Sequence, residues 1–120
     1  MNKKRLRVFC SGPISSRNPF VYWRNLCRGI RVEASLAYRG YAPFPVFVNF
    51  LWHWFSPVTR EDYYAIDLEW LKYADALLAL KGWWHSPGAK EEIRHAEMWN
   101  IPVFYRLETL EAWREEKCGS

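Results

Sequence analysis

Apolar residues along this chain recur with two different spacings, and the switches between them mark out its elements. "RLRVFC", Arg5 to Cys10, is a short apolar run that ends in the small-residue loop "SGPISSRN". Asn18 followed by Pro19 predicts a helix start: an N-cap side chain, then a proline whose missing N–H costs nothing at the first helical position. Trp23, Cys27, Ile30, Ala34 and Ala37 then recur at helical spacing to about Arg39, which makes them the expected buried face, and Gly40 ends the helix. Tyr41 to Val46 predicts a second strand, short or at an edge because it holds two prolines. Thr59 with Asp62 three residues on predicts a capping box and a helix to about Tyr73, with Tyr64, Leu68 and Leu71 on its buried stripe. "DALLAL", Asp75 to Leu80, is a continuous apolar run of the kind found in buried parallel strands. A third helix opens at Ser86-Pro87 and stops near Asn100, "IPVFY" forms another strand, and Leu107 to Lys117 closes the chain as a polar helix. The segment Phe44 to Pro57, "FPVFVNFLWHWFSP", fits neither period and reads as a short helix, a lid or an oligomer surface.

Four strands each followed by a helix predict an α/β fold: a three-layer sandwich with a small parallel sheet of Rossmann or flavodoxin-like type, four to five strands, flanked by helices. Ligands of such sheets bind outside the carboxyl ends of the strands. Those ends lead here into "SGPISSRN", "PFPVF" and "KGWWHSPG".

Composition narrows the class. At 120 residues with half of them hydrophobic, the chain forms a single domain, residues 1–120, rather than a disordered segment. Its net charge of +4 comes partly from Lys3, Lys4, Arg5 and Arg7 ahead of the first strand. That cluster reads as a solvated terminus or as help for an anionic small ligand. With no basic stripe expected along a helix, extended nucleic acid is not the expected partner. Cys10, Cys27 and Cys118 are odd in number and lack metal-ligand or redox spacing, which suits a reducing, cytoplasmic setting. The longest aromatic-apolar run is too short to span a bilayer, so no membrane is expected. His53, His85 and His95 have no carboxylate or cysteine partners at ligand spacing. With no dinucleotide-binding, phosphate-loop or nucleophile-elbow motif either, neither metal nor cofactor is expected. Eight tryptophans in so small a domain leave some free to stack on a flat ligand or a second copy of the chain, and a homo-oligomer, dimer or higher, is expected.

The candidate chemistry lies at the strand ends. Ser86 as N-cap, Pro87, Gly88 and Ala89 leave backbone N–H groups unobstructed, the arrangement that holds a phosphate, and also that of an ordinary well-capped helix. Ser11 to Ser16 supplies a second small, hydroxyl-rich turn. At ~100° per residue, Ala89, Ile93 and Ala96 define the buried face of the third helix. Glu92 then sits on its shoulder and Glu91 points to solvent. A half-buried carboxylate one turn into such a helix is a candidate nucleophile or base. Asp67 occupies the same shoulder of the preceding helix, where a salt bridge is the competing explanation. Tyr63, Asp67 and Trp70 at i, i+4 and i+7 share one face. Of Trp83 and Trp84, one is expected to cap the strand end and the other to stack on a base or close a dimer contact.

The run Asp67 to Phe104, "DLEWLKYADALLALKGWWHSPGAKEEIRHAEMWNIPVF", with "VFCSGPIS" after the first strand, resembles the core of the nucleoside 2-deoxyribosyltransferase superfamily. Within it, the chain is most similar to the 2′-deoxynucleoside 5′-monophosphate N-glycosidases and to small phage and bacterial proteins sharing a "GPI" loop. The resemblance implies Glu92 as the nucleophile at the anomeric carbon and Asp67 as a companion carboxylate handling protons and sugar hydroxyls. It also implies that Ser86 and the backbone around Gly88 hold a 5′-phosphate, helped by the turn Gly12-Pro13-Ile14. The "GWWHS" loop is bulkier than its counterpart there, the segment Phe44 to Pro57 has none, and a neighbouring subunit completes the site in some relatives. The expected function is therefore hydrolysis or transfer at the N-glycosidic bond of a (deoxy)nucleoside 5′-monophosphate. The alternative is a non-catalytic nucleotide-binding or sequestering protein of the same fold.

Overall fold

The computed structural model describes residues 4–14, 17–47, 52 and 55–118. Ser15, Ser16, His53 and most of the aromatic segment after Phe47 lie outside them. Four strands and four helices alternate: β1 (Arg7–Ser11), α1 (Pro19–Tyr38), β2 (Ala42–Phe44), α2 (Arg60–Leu71), β3 (Ala76–Ala79), α3 (Pro87–Met98), β4 (Val103–Phe104) and α4 (Leu107–Cys118). All strand pairs are parallel and the order across the sheet is β2-β1-β3-β4. Parallel pairing requires a crossover between successive strands, and here each crossover contains a helix.

α2 and α3 pack against each other, while Arg39 at the end of α1 pairs with Glu111 of α4 and Arg114 of α4 donates to the Arg39 carbonyl. The helices therefore form two layers around the sheet, the three-layer α/β sandwich that the alternation predicts. Between them lie the fully buried strand residues Val8, Phe9, Cys10, Ala76, Leu77, Leu78 and Ala79, joined by Leu26, Leu36, Leu71, Ile93, Ala96 and Leu110 from the helices.

Local chemistry sets the element ends. The Asn18 side chain accepts from the Phe20 and Val21 amides ahead of Pro19 at the start of α1. Thr59 and Asp62 form the reciprocal capping box of α2, with Asp doing what Glu or Gln usually does. β2 is a three-residue edge strand, because Pro43 and Pro45 have no N–H to give a ladder. Arg5, one of the basic residues ahead of β1, donates from Nη1 to the carbonyls of Ala37 and Tyr41 and so caps the end of α1. The run Trp83–His85, which reads as open loop in the sequence, is a 3₁₀ turn entered through Gly82 at φ 91°.

One expectation about packing is overturned. The stripe Trp23, Ile30, Ala34 and Ala37 is not the buried face of α1: Trp23 is 64% exposed and the two alanines face solvent. The core takes Asn25, Leu26, Gly29, Glu33 and Leu36 instead. The outward side carries a second, apolar stripe that includes Phe20, and beside it Arg24, Arg28 and Arg31, a basic flank that the sequence reading does not anticipate. In α2 the buried positions are Asp67 and Leu71, with Leu68 partly buried, whereas Tyr64 is among the exposed aromatics. Asp67 is thus at the centre of the inward face rather than on its shoulder.

Two substitutions on α1 distinguish its faces. Leu36→Ala should cost about 2–5 kcal/mol of unfolding free energy as a cavity in a closed core. Ala34→Ser should stay within about 0.5 kcal/mol. Denaturant melts of the two variants check the assignment.

Candidate functional site

The chain leaves β1 in one direction, to β2, and returns past it to β3 and on to β4. The crevice between the carboxyl ends of β1 and β3 is the point where such a sheet reverses its winding, and ligands bind there. Its lips are fitted together tightly. A Cβ on Gly12 would lie 2.9 Å from the Leu80 side chain, and one on Gly82 would lie 3.2 Å from Pro13. The Leu80 amide donates to the Ser11 carbonyl at 2.7 Å, which locks the two loops together.

Into this crevice α2 and α3 each project a carboxylate. Asp67 and Glu92 are 7% and 6% exposed, so both are buried, more deeply than a shoulder position implies. Their side chains are within hydrogen-bonding reach of each other. The Ser11 hydroxyl at the end of β1 donates to Glu92 Oε1 at 2.5 Å. Burial pushes the Glu92 carboxyl up to about 8; the Ser11 hydrogen bond opposes that rise, and the charge and hydrogen bond of Asp67 add to it. Two carboxyls so close titrate as a unit that shares a proton. Glu91, one residue away, is exposed and paired with Arg94 at 2.8 Å, as its outward position predicts.

These groups border a cavity of about 360 Å³, a size suited to a small organic ligand. Its polar lining comes from Asp67, Glu92, Ser86, Arg60 and His85; its apolar and aromatic lining comes from Ile14, Val46, Phe47, Val58, Tyr22, Tyr63 and Tyr64. Gly12, Pro13 and Gly88 line it as well. Ser11 stays beneath, fully buried, and reaches the cavity only through Glu92.

Ser86 caps α3, accepting from the Ala89 amide at 3.1 Å, with Pro87 in the first turn. Gly88 has a packing reason of its own: a Cβ there would lie 2.6 Å from the Tyr64 ring. The glycine that leaves the helix start open is therefore also the one that lets α2 and α3 approach. Trp83 and Trp84 do not line the cavity. Trp83 packs against the core and the Tyr105 ring, with Trp84 edge-on to it and half exposed. The aromatic wall is made by Phe47 and the tyrosines instead. Tyr63, stacked on Trp52, belongs to that wall, while Trp70 stacks on Phe44 away from it.

Arg60, His85 and Phe47 escape the sequence reading. Arg60 leaves a trace there, as a cation in the first turn of a helix, where the dipole favours acids such as its neighbours Glu61 and Asp62. Among the described residues no three His, Cys, Asp or Glu side chains gather as a metal cluster, and no helix is long and apolar enough to cross a membrane.

The family model described as "Domain of unknown function (DUF4406)" matches residues 27–105, and the chain belongs to that family. The match takes in Asp67, Ser86, Gly88 and Glu92 but not β1 with Ser11. A search of curated proteins finds no match.

The raised Glu92 carboxyl has a consequence for stability. The folded state holds the Glu92 proton more tightly than the unfolded chain, so this contribution is complete below about pH 4.5 and is lost as pH rises through about 8. Glu33, pushed up to about 7 by burial, acts in the same direction. Wild-type unfolding free energy should fall between pH 5 and 8.5, and Glu92→Gln should remove a part of that fall on the order of a few kcal/mol. Urea melts at a series of pH values measure both slopes.

Proposed function

We propose that this DUF4406-family protein cleaves the N-glycosidic bond of a (deoxy)nucleoside 5′-monophosphate, with Glu92 as nucleophile. The observation that carries the reading is the buried Asp67–Glu92 pair, steadied by Ser11, lining a ligand-sized cavity at the switch point of the sheet. A carboxylate fixed in a dry pocket can trap an oxocarbenium-like carbon, and a partner acid supplies and accepts the proton. The family match overlaps the segment Asp67–Phe104, whose likeness to the 2-deoxyribosyltransferases suggests the sugar and the leaving base.

In this reading the reactive microstate has Glu92 ionised and the shared proton on Asp67. A Glu92 carboxylate oxygen bonds to C1′ as the C1′–N bond breaks, and the electron pair leaves with the base, which takes up the Asp67 proton by way of water and leaves Asp67 ionised. Water then attacks C1′ of the glycosyl ester, loses a proton towards Asp67 and releases the sugar phosphate with Glu92 restored. A second base in place of water makes the reaction a transfer. The two carboxyls are in contact, closer than the roughly 5 Å that separates acid and nucleophile across a retained glycosidic bond. Asp67 therefore serves on the same side as Glu92, holding the proton or a sugar hydroxyl. Arg60, the Ser86 hydroxyl and the Gly88 amide at the start of α3 would receive the phosphate.

Chromatography of free base is the test, with the common ribo- and deoxyribonucleoside monophosphates, with and without a competing base. Wild type should release base, Glu92→Gln should lose at least ~10³-fold in rate while keeping affinity, and Asp67→Asn should lose about 10²–10⁴-fold. Exchange into the added base identifies a transferase. Monophosphate binding without release from any substrate overturns the enzymatic reading in favour of a nucleotide-sequestering protein.

The homo-oligomer also stands as a proposal, supported by the outward apolar stripe of α1. Light scattering should show a multiple of the 14.4 kDa chain that Trp23→Glu reduces.

A further inference from the structure

α1 carries a buried acid that the proposed chemistry leaves unused. Glu33 is 7% exposed and projects from the core side of the helix. Its carboxylate accepts the Phe47 amide at 3.3 Å and a second hydrogen bond from the Val46 backbone. One turn earlier on the same face, Gly29 leaves a notch in which the Phe47 ring lies on the helix backbone; a Cβ there would fall 2.3 Å from that ring. Val46 and Phe47 are buried, 5% and 1% exposed, and both line the cavity that holds Asp67 and Glu92.

The chain at this point lacks the usual means of holding a wall in place. β2 ends at Phe44, Pro45 contributes no donor, and apart from Glu33 the Val46 amide has a tight turn to the Phe44 carbonyl at 2.8 Å. Among the described residues no ladder beyond β2 fixes the segment. An acid is an expensive way to fix it, since a well-packed hydrophobic residue in its place is often neutral or stabilising. What the acid supplies and a hydrophobic residue does not is a pair of directed acceptor lone pairs for backbone amides.

We infer that Glu33 and Gly29 are positioning residues for the substrate site: the carboxylate clasp and the glycine notch hold Val46 and Phe47 as the apolar wall against which the flat ring of the ligand packs. The ring is the nucleobase if the proposed function holds, and to that extent the inference rests on it. The carboxylates, the guanidinium and the imidazole of the cavity come from α2, α3 and the turn before α3, whereas Val46 and Phe47 present hydrocarbon side chains to it. With Trp83 and Trp84 outside the cavity, Phe47 is the planar side chain placed by the core rather than by its own loop.

Amide hydrogen exchange and steady-state kinetics on the whole protein test this together. In Glu33→Leu the Val46 and Phe47 amides should exchange at least ~10-fold faster relative to the Leu77 amide of β3, which reports global opening; Glu33→Gln, which keeps an acceptor, should restore most of the protection. With a nucleoside monophosphate as substrate, Glu33→Leu and Gly29→Ala should raise KM about tenfold and leave kcat within about threefold, the signature of lost uniform binding. Unchanged relative exchange at Val46 and Phe47 overturns the clasp. A fall in kcat with KM unmoved overturns the wall. Should wild type release no base, the catalytic reading fails by itself, and the same amides decide the inference. Added nucleoside monophosphate or free nucleobase that slows exchange at Val46 and Phe47 in wild type and not in Gly29→Ala upholds it, and no slowing overturns it.

Discussion

The pairing of β1 with β3 is the constraint on which the rest of the molecule depends. It forces the chain, after making β2 on one side of β1, to cross back and build β3 on the other, and that reversal opens the crevice at the carboxyl ends of the two strands. Because Ser11 and Ala79 are in register at the end of this pair, the loops that follow leave from the same height. Gly12 against Leu80 and Gly82 against Pro13 then let them close without a gap. α2 precedes β3 and α3 follows it, so both helices pass the crevice. Asp67 and Glu92 meet there because the strand order brings their helices side by side.

Most of the architecture is legible in the sequence, because the signals are local. The Asn18-Pro19 and Ser86-Pro87 starts, the Thr59–Asp62 box and the apolar run Ala76–Leu80 each depend on residues within a turn or two of one another. The face of α1 is not legible, and the reason is specific. Period counting ranks Trp23 and Ile30 as buried and Asn25, Gly29 and Glu33 as solvent-facing. In the fold the last three have long-range partners: Asn25 donates to the Ile14 carbonyl at 3.5 Å, Gly29 receives the Phe47 ring, and Glu33 receives the Phe47 amide. None of these contacts is visible until the chain has folded back on itself. An acid and a glycine at helical spacing from a leucine can therefore be a docking face for a segment without secondary structure.

The site was legible to a similar degree and for the same reasons. Helical spacing placed Glu92 and Asp67 inward and Glu91 outward, because those are properties of single helices. It underestimated their burial, since that depends on α2 and α3 closing over each other at Gly88 and Tyr64. The tryptophans follow another rule: Trp83 and Trp84 are adjacent to α3 in sequence, but the 3₁₀ turn sets Trp83 against the core and Tyr105, with Trp84 edge-on to it. Phe47, far from Glu92 in sequence, lines the cavity where neither tryptophan does.

Two acids in one small core, both with raised proton affinity, differ in their partners. Successive residues of a strand face opposite sides of the sheet. Cys10 feels the charge of Glu33 from α1, while the next residue, Ser11, donates to Glu92 from α3. The partners of Glu33 are backbone amides, fixed in place and unable to accept a proton, so its carboxylate can do little except hold them. The partners of Glu92 are a hydroxyl that can rotate and a second carboxyl that can take the proton from it. Burial makes both acids costly to ionise, but among the described residues the second has a carboxyl to take its proton and a cavity in front of it. That difference in partners, rather than the size of either shift, separates an anchor from a candidate reactive group. It also fits one strand end meeting both acids: in the proposed reading the anchor fixes the wall of the cavity, and the Asp67–Glu92 pair faces what the wall holds.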